Sequence, residues 1–325
     1  MKSIIKLINL HFWKSMLAPF FAFIFPIIFI VILGLLLGYD QLLGGALSIP
    51  SMTVGLIAMP QAIFEFKKSV LLKRIGVTKV KPWMFLLAIS LYYVGIMLLS
   101  TAFCIVMSLA IFSSNWNEGK TMLDAVPIND TGTIAKIMTP TFYQMLQNVN
   151  WGEFVWALFM NIFVATSIGL MLVSILKSAL AIQALGIPIL IISQFLSAQV
   201  LPIPMVREVD AMYYLSYISP FKYSTGLMIN AWQGSVQLSA DNSAIIGLKE
   251  IGINTTTQHL IEQVQIQQNS IFNINSTMYY YYSQQQINSI EIFNKADKVV
   301  NLVMPFVWTI IFSGVAIKFF KWNNR

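Results

Sequence analysis

The residues best suited to contact a partner are the bases of Phe64–Trp83, a short segment between two long uncharged apolar runs. Six of the chain's twenty Lys and Arg residues lie in it, and Glu65 is its one acid. Helical spacing aligns Val70, Leu71 and Ile75 on one stripe and leaves most of the bases off it. The pattern predicts an amphipathic wedge facing the cytosol, because Lys and Arg between two membrane spans are retained on that side.

Residue patterns that carry catalysis or ion coupling are absent from the sequence. It has no GxxxxGK[ST] phosphate loop, no HExxH motif, and no Ser or Cys nucleophile with a nearby His. The apolar runs contain no Asp, Glu, Lys, Arg or His, which disfavours an ion-coupled carrier, since carriers place ionisable residues inside the membrane. His11 and His259 fall on opposite sides of the membrane in the topology below. The sequence therefore predicts no metal site and no catalytic residue.

Long uncharged runs predict an integral membrane protein. The chain is only 10% charged, whereas a typical soluble domain is about 25% charged. A helix needs about 20 apolar residues to cross a bilayer. Six runs are candidates: Leu17–Gly38, Leu42–Phe64, Trp83–Phe112, Phe154–Leu176, Ala179–Leu201 and Val299–Ile317. We predict an all-α fold with six transmembrane helices, the second of them starting at Pro50.

The distribution of charge orients this topology. With both termini in the cytoplasm, the inner segments are 1–16, 65–82, Lys177 and 318–325, and they hold 13 of the 20 bases and one of the 13 acids. The reverse orientation would place those bases outside, against the positive-inside rule. The net charge of +7 therefore reflects membrane topology, and no nucleic-acid partner is predicted.

The whole chain, 1–325, is predicted to be one membrane domain. Lysines alternate with apolar residues in 1–16, which predicts an interfacial helix in contact with membrane lipid, or a simple flank of the first span. The remaining segments are spans one and two (17–64), a cytoplasmic segment (65–82), spans three to five (83–201), a re-entrant segment (202–235), an extracytoplasmic insertion (236–298), and span six with a cytoplasmic tail (299–325). Within the outer segment 113–153, Lys136–Asn150 is predicted as a short helix.

The re-entrant segment 202–235 is too apolar for a free loop and too charged for a span. A Lys or Arg at the centre of a span costs roughly 2.5–3.5 kcal/mol. Pro202 and Pro204 should end the fifth helix, and Ser219–Pro220 should separate two short helices. Such broken helix is tolerated where protein buries it or where it lines a cavity. The alternative is an aromatic belt at the outer surface. Residues 236–298 are polar and predict a small extracytoplasmic cap.

Three features resemble the permease subunits of type-2 ATP-binding-cassette exporters, and together they cover nearly the whole chain. The first is a Pro-led second span followed by a charged stretch and Leu72–Thr78 (LKRIGVT), with Lys79 where the family often has Pro. The second is Leu215–Gly234 (LSYISPFKYSTGLMINAWQG), which is similar to the family's Pro-Phe-x-Tyr…Gly segment. The third is the six-span order with both ends inside.

The resemblance implies a coupling helix that is seated in a groove of a separate ATPase subunit. Carried over to this sequence, it predicts ATPase coupling by Glu65, Lys67, Lys68, Leu71, Leu72, Lys73, Arg74, Val77 and Thr78. It predicts an outer gate in the two re-entrant helices, at Pro204, Ser219, Pro220, Phe221, Tyr223 and Gly226. ATP and Mg²⁺ would be bound by the ATPase, so this chain needs no cofactor. The bases have a second interpretation, as a topology signal that also attracts anionic lipid.

The function implied by the resemblance is ATP-driven export of a drug-like, lipidic or polymeric substrate across a bacterial plasma membrane. Two permease chains, identical or different, would face each other, and the pathway between them would be lined by the second and fifth spans. The alternative is a membrane scaffold or assembly protein that acts through its cap at 236–298 and needs no ATPase.

Overall fold

The structure, a computed structural model, describes residues 2–37, 44–68, 82–113, 121–127, 134–138, 143, 146–147, 149–197, 199–200, 209–233 and 295–320. Its α-helices are Lys2–Lys14, Leu17–Pro19, Phe25–Leu37, Ile49–Thr53, Met59–Lys68, Pro82–Ile111, Trp151–Ile175, Ala179–Leu196, Asp210–Ser216, Phe221–Gln233 and Lys295–Phe319. Two π-helical turns, Phe20–Ile24 and Val54–Ala58, join the pieces of the first and second spans.

Within these ranges, six helices are long and apolar enough to cross a membrane, as predicted. They are Leu17–Leu35, Gly44–Lys68, Met84–Ile111, Trp151–Ile175, Ala179–Leu196 and Val299–Phe319, and we call them the first to sixth spans. The helix of the second span continues past the apolar run into the charged residues that follow it, because long lysine side chains can extend away from the apolar core. The mainly helical, six-span fold is confirmed.

The second span is the centre of the bundle. In its most apolar stretch, 94% of the residues are buried by other parts of the chain, whereas the value for the sixth span is 17%. Every residue from Gly44 to Pro60 is buried. The fourth span is the next most enclosed, and it packs against the second span, the sixth span and the helix Phe221–Gln233.

Glycines allow the neighbouring helices to reach the backbone of the second span. A Cβ on Gly186 would lie 2.7 Å from the Leu56 carbonyl oxygen, and one on Gly169 would overlap the Gly55 carbonyl oxygen. Both carbonyls belong to the π-helical turn Val54–Ala58. Small residues let membrane helices approach closely enough for van der Waals packing, which replaces the hydrophobic driving force inside a bilayer.

The segment 113–153 contains an antiparallel hairpin of two strands, β1 (Thr121–Pro127) and β2 (Ile134–Met138). The helix predicted over Lys136–Asn150 is therefore wrong at its start, since Lys136 lies in β2. Pairing with β1 sets the strand here: Ile134 lies opposite Pro127, and Met138 lies opposite Thr121.

The fifth span ends at Leu196, earlier than the predicted end at Leu201. The backbone N–H of Ser197 bonds to the Ser193 carbonyl at 2.8 Å, and the N–H of Gln199 bonds to the Gln194 carbonyl at 3.1 Å. These bonds satisfy carbonyls that a helix end leaves open. Two short helices follow, which we call the exposed short helix (Asp210–Ser216) and the buried short helix (Phe221–Gln233). The turn between them contains Ser219–Pro220, so the predicted break is confirmed.

Candidate functional site

One end of the bundle gathers the charged end of the second span and the described ends of the chain. Here Glu65 and Lys67 meet the N-terminal helix Lys2–Lys14 and Phe320. We call this the basic end. The N-terminal helix is anchored by Ile8 and Phe12, which are fully buried, while Leu10 and Trp13 on its outer face are exposed. The helix predicted over 1–16 is present, with an apolar side packed on the third span.

Glu65 links three elements at the basic end. Its Oε2 lies 2.9 Å from His11 Nε2 on the N-terminal helix, and its Oε1 accepts a hydrogen bond of 3.0 Å from Gln61 Nε2. Gln61 Oε1 in turn accepts a hydrogen bond of 2.9 Å from Gln183 Nε2 in the fifth span. These contacts would therefore transmit a displacement of the end of the second span to both the N-terminal helix and the fifth span.

The two lysines after Glu65 have different surroundings. Lys67 is half-buried: its Nζ donates to the Val173 carbonyl at 3.4 Å and lies 4.9 Å from the centre of the Phe320 ring. Lys68 is exposed and lies 4.8 Å from the centre of the Phe64 ring. The structure describes three of the coupling candidates, Glu65, Lys67 and Lys68. Of these, Lys67 contacts the ends of the fourth and sixth spans, whereas Lys68 is exposed and could contact a partner. The other coupling candidates lie outside the described residues: Leu71, Leu72, Lys73, Arg74, Val77 and Thr78.

The opposite end of the bundle holds buried polar side chains from four segments, and we call them the polar cluster: Ser48, Ser51, Asn161, Gln199, Ser224 and Thr225. Asn161 Nδ2 in the fourth span donates to Ser51 Oγ at 2.5 Å, and Asn161 Oδ1 accepts from Ser224 Oγ at 2.8 Å. Gln199 Nε2 donates to Ser48 Oγ at 2.6 Å and to Thr225 Oγ1 at 3.2 Å. The cluster ties the start of the second span to the fourth span, to the end of the fifth, and to the buried short helix.

These bonds specify one arrangement of the helices more than they add stability. An interhelical hydrogen bond in a membrane protein contributes on average about 0.6 kcal/mol. A buried polar group that loses its partner costs roughly 1–3 kcal/mol. The helices are thus held in the arrangement that forms these hydrogen bonds. Sequence reasoning missed this site, although Asn161 is a visible signal, since it is an amide inside an apolar run.

Five of the six gate candidates lie together beside the polar cluster. Ser219 Oγ is 3.3 Å from Ser197 Oγ, and Pro220 is in the same turn. Phe221 and Gly226 are buried in the bundle. The Tyr223 hydroxyl donates to the Tyr217 carbonyl at 2.6 Å, and burial raises the pKa of this phenol. The sixth candidate, Pro204, lies outside the described residues.

Lys222, in the first turn of the buried short helix, contacts the exposed short helix, and sequence reasoning did not single it out as a site residue. Its Nζ is 3.1 Å from the centre of the Tyr217 ring and 5.2 Å from that of Tyr213. The hydroxyls of these two tyrosines are 2.7 Å apart. An ammonium over an aromatic face is attracted by the ring quadrupole, and more strongly where water is excluded. The contact therefore holds the exposed short helix against the start of the buried one.

The second span, which was expected to line a pathway between two chains, is enclosed within this one. Its side chains are enclosed by helices of the same chain, since small residues at Gly55, Gly169 and Gly186 bring the fourth and fifth spans against it. The fifth span is more open: 28% of the residues in its most apolar stretch are buried, and Leu180, Leu185 and Ile192 are exposed. Of these two spans, the fifth therefore presents the more open surface.

A comparison with protein-family models matches residues 132–231 to the ABC-2 type transporter model. The matched range includes strand β2, the fourth and fifth spans, and both short helices, and thus most of the polar cluster and the described gate candidates. No curated protein and no solved structure matched the chain. Residues 132–231 are thus similar to the membrane domain of the ABC-2 type transporters, and this match among six apolar helices is consistent with a multi-pass permease of that type.

Proposed function

We propose that the chain is the membrane-spanning subunit of an ATP-driven exporter in a bacterial plasma membrane, powered by a separate ABC ATPase. The observation that carries the proposal is the second span. It is the central helix of the bundle, and it ends in the charged residues from which the segment 65–78 continues. A force applied by a partner to that segment would act directly on the most enclosed helix of the protein.

The proposed cycle uses this connection. ATP closes the ATPase dimer, and the dimer moves the segment 65–78. Glu65 passes the displacement to the N-terminal helix through His11, and to the fifth span through Gln61 and Gln183. At the far end, the same second span carries Ser48, which accepts from Thr225 of the buried short helix at 3.4 Å, and Ser51, which is linked to that helix through Asn161.

The pathway is proposed to lie between two permease chains, along the open face of the fifth span. That face is apolar, with Leu185, Ile191 and Ile192 exposed, and it suits a substrate with an apolar part. The proposed direction of transport is outward, and the proposed substrates are drug-like, lipidic or polymeric molecules.

The test is a mild-detergent pull-down of the tagged chain from its native membrane, followed by mass spectrometry. The expected result is a stoichiometric ABC ATPase that is lost when Leu72 and Arg74 are both replaced by Asp. The matched control replaces Lys177 and Leu180 by Asp, again one base and one Leu. Lys177 is in the turn between the fourth and fifth spans, and Leu180 is 78% exposed in the first turn of a helix, where an acid is tolerated. This control should retain the ATPase.

Two outcomes would contradict the proposal at different levels. If the intact chain captures no ATPase while folded and membrane-bound, the exporter function fails, and a scaffold acting through 236–298 becomes the better hypothesis. If the ATPase is captured equally by the Leu72 and Arg74 double variant, the exporter stands and the docking segment is wrong.

A further inference from the structure

The two short helices at the candidate outer gate differ in how they are held. The buried short helix is enclosed along its length: Ser224, Thr225 and Met228 are fully buried, and Trp232 is 1% exposed. It packs against the fourth and sixth spans. Through Ser224 and Thr225 it also belongs to the polar cluster. Moving this helix would break several buried hydrogen bonds at once.

The exposed short helix has few such ties. Tyr214 is 70% exposed and Leu215 is 51% exposed. Its main packing partner among the described elements is the fifth span. A segment with little buried apolar contact belongs to the low-stability part of a protein and opens locally at low cost. Of the two helices, this one can move while the bundle stays intact.

The turn that joins the helices is itself anchored. Ser219 Oγ is 3.3 Å from Ser197 Oγ at the end of the fifth span, and Tyr223 donates to the carbonyl of Tyr217. Tyr217–Pro220 thus forms a fixed pivot, with a mobile helix on one side and a fixed helix on the other. Lys222 reaches across this pivot from the fixed side to the rings of Tyr213 and Tyr217.

We propose that the exposed short helix is a flap that turns about Tyr217–Pro220, and that Lys222 is the catch that holds it closed against Tyr213 and Tyr217. The buried short helix is the frame and does not move with the flap. This inference deepens the proposed function, because it assigns the moving part of the candidate outer gate. It concerns a motion of the chain alone, so it can be tested without the ATPase.

The experiment is hydrogen–deuterium exchange with mass spectrometry on the full chain in lipid nanodiscs. Replacing Lys222 by Met removes the charge and keeps an unbranched apolar chain, and we expect amides of 210–216 to exchange roughly tenfold faster. Amides of the buried short helix should keep the wild-type rate. Lys222→Arg retains a cation over the rings and should behave as wild type. Lys318→Met is the matched control, because Lys318 also lies over a ring, that of Phe319, but at the basic end.

The proposal is overturned if Lys222→Met leaves the exchange of 210–216 unchanged, or if both short helices accelerate together. If Lys222→Met does not fold, Tyr213→Leu removes the ring on the flap that Lys222 contacts and gives the same answer. The exchange experiment and the pull-down can fail separately. If the exchange data support the flap but the pull-down captures no ATPase, the flap and its catch stand, and only the exporter function is rejected.

Discussion

Glu65 Oε2 lies 2.9 Å from His11 Nε2, which joins the last turns of the central span to the N-terminal helix across more than fifty residues of sequence. Both side chains are partly exposed, at 28% for His11 and 41% for Glu65, so solvent screens the pair. Exposed ion pairs contribute about 0.2–1 kcal/mol when both partners are charged. The contact therefore positions the helix and adds little to the stability of the fold.

We predict a small coupling free energy between these two residues. In a double-mutant cycle of His11→Gln and Glu65→Gln, the interaction term in the free energy of unfolding should be about 1 kcal/mol or less. Denaturation of the purified chain in detergent measures it. A coupling term of several kcal/mol would mean that the pair is a major part of the fold, contrary to its exposure.

Replacing a glycine that packs against the π-helical turn of the second span is predicted to lower the free energy of unfolding by more than the loss of the His11–Glu65 contact does. Gly186→Ala would place a methyl group 2.7 Å from the Leu56 carbonyl oxygen, so the helices must separate. Overpacking of this kind typically costs 1–3 kcal/mol. The matched control is Gly95→Ala in the third span, where no atom lies within 4 Å of the added Cβ. There, alanine should be neutral or stabilising by up to about 1 kcal/mol.

Thermal unfolding in the same detergent separates these two variants. The expected order of midpoint temperatures is Gly186→Ala lowest, then wild type, with Gly95→Ala equal or higher. Equal midpoints for the two alanine variants would contradict the close contact between the fifth and second spans.

Two serines test the polar cluster in the same way. Ser224 Oγ donates to Asn161 in another helix, whereas Ser174 Oγ, among the described residues, bonds within its own span, to the Leu170 carbonyl at 2.6 Å. Ser224→Ala should cost about 1–2 kcal/mol, since it leaves a buried amide oxygen without its donor. Ser174→Ala should stay within about 0.5 kcal/mol. If Ser224→Ala and Ser174→Ala have the same free energy of unfolding, the hydrogen bonds between helices in the polar cluster do not favour one helix arrangement over others.

The spans were predictable from the sequence because bilayer thickness and apolar composition fix them, and hydropathy is a local property. The break at Ser219–Pro220 was predictable for the same reason, since proline acts on its own segment. The strand at Ile134–Met138 was missed because a short segment fits both a helix and a strand, and its pairing with Thr121–Pro127 decided the outcome.

The polar cluster and the central position of the second span depend on contacts between distant residues. Asn161 meets Ser51 across 110 positions, and Thr225 meets Ser48 across 177. The second span is the least apolar of the six, but low hydropathy alone does not show that the other helices surround it. The glycines at 55, 169 and 186 mark where the fourth and fifth spans approach the second span closely, but this role becomes visible only when it is known which helices pack together.

The proposed orientation can be tested with two exposed residues at opposite ends of the bundle. Leu10 on the N-terminal helix is 50% exposed, and Tyr214 on the exposed short helix is 70% exposed. With the basic end in the cytoplasm, a membrane-impermeant maleimide should label Tyr214→Cys on intact cells. It should label Leu10→Cys only after the membrane is permeabilised.

The chain supplies its own control for this labelling. Its native cysteine, Cys104, is fully buried within the third span and should react only after denaturation, because the thiolate that attacks maleimide is disfavoured in apolar surroundings. Wild-type protein should therefore give no signal under either native condition and one label per chain in detergent at high temperature. Labelling of Leu10→Cys on intact cells, with Tyr214→Cys protected, would invert the topology. The coupling segment would then be outside the cell, where no ATP-driven partner could reach it.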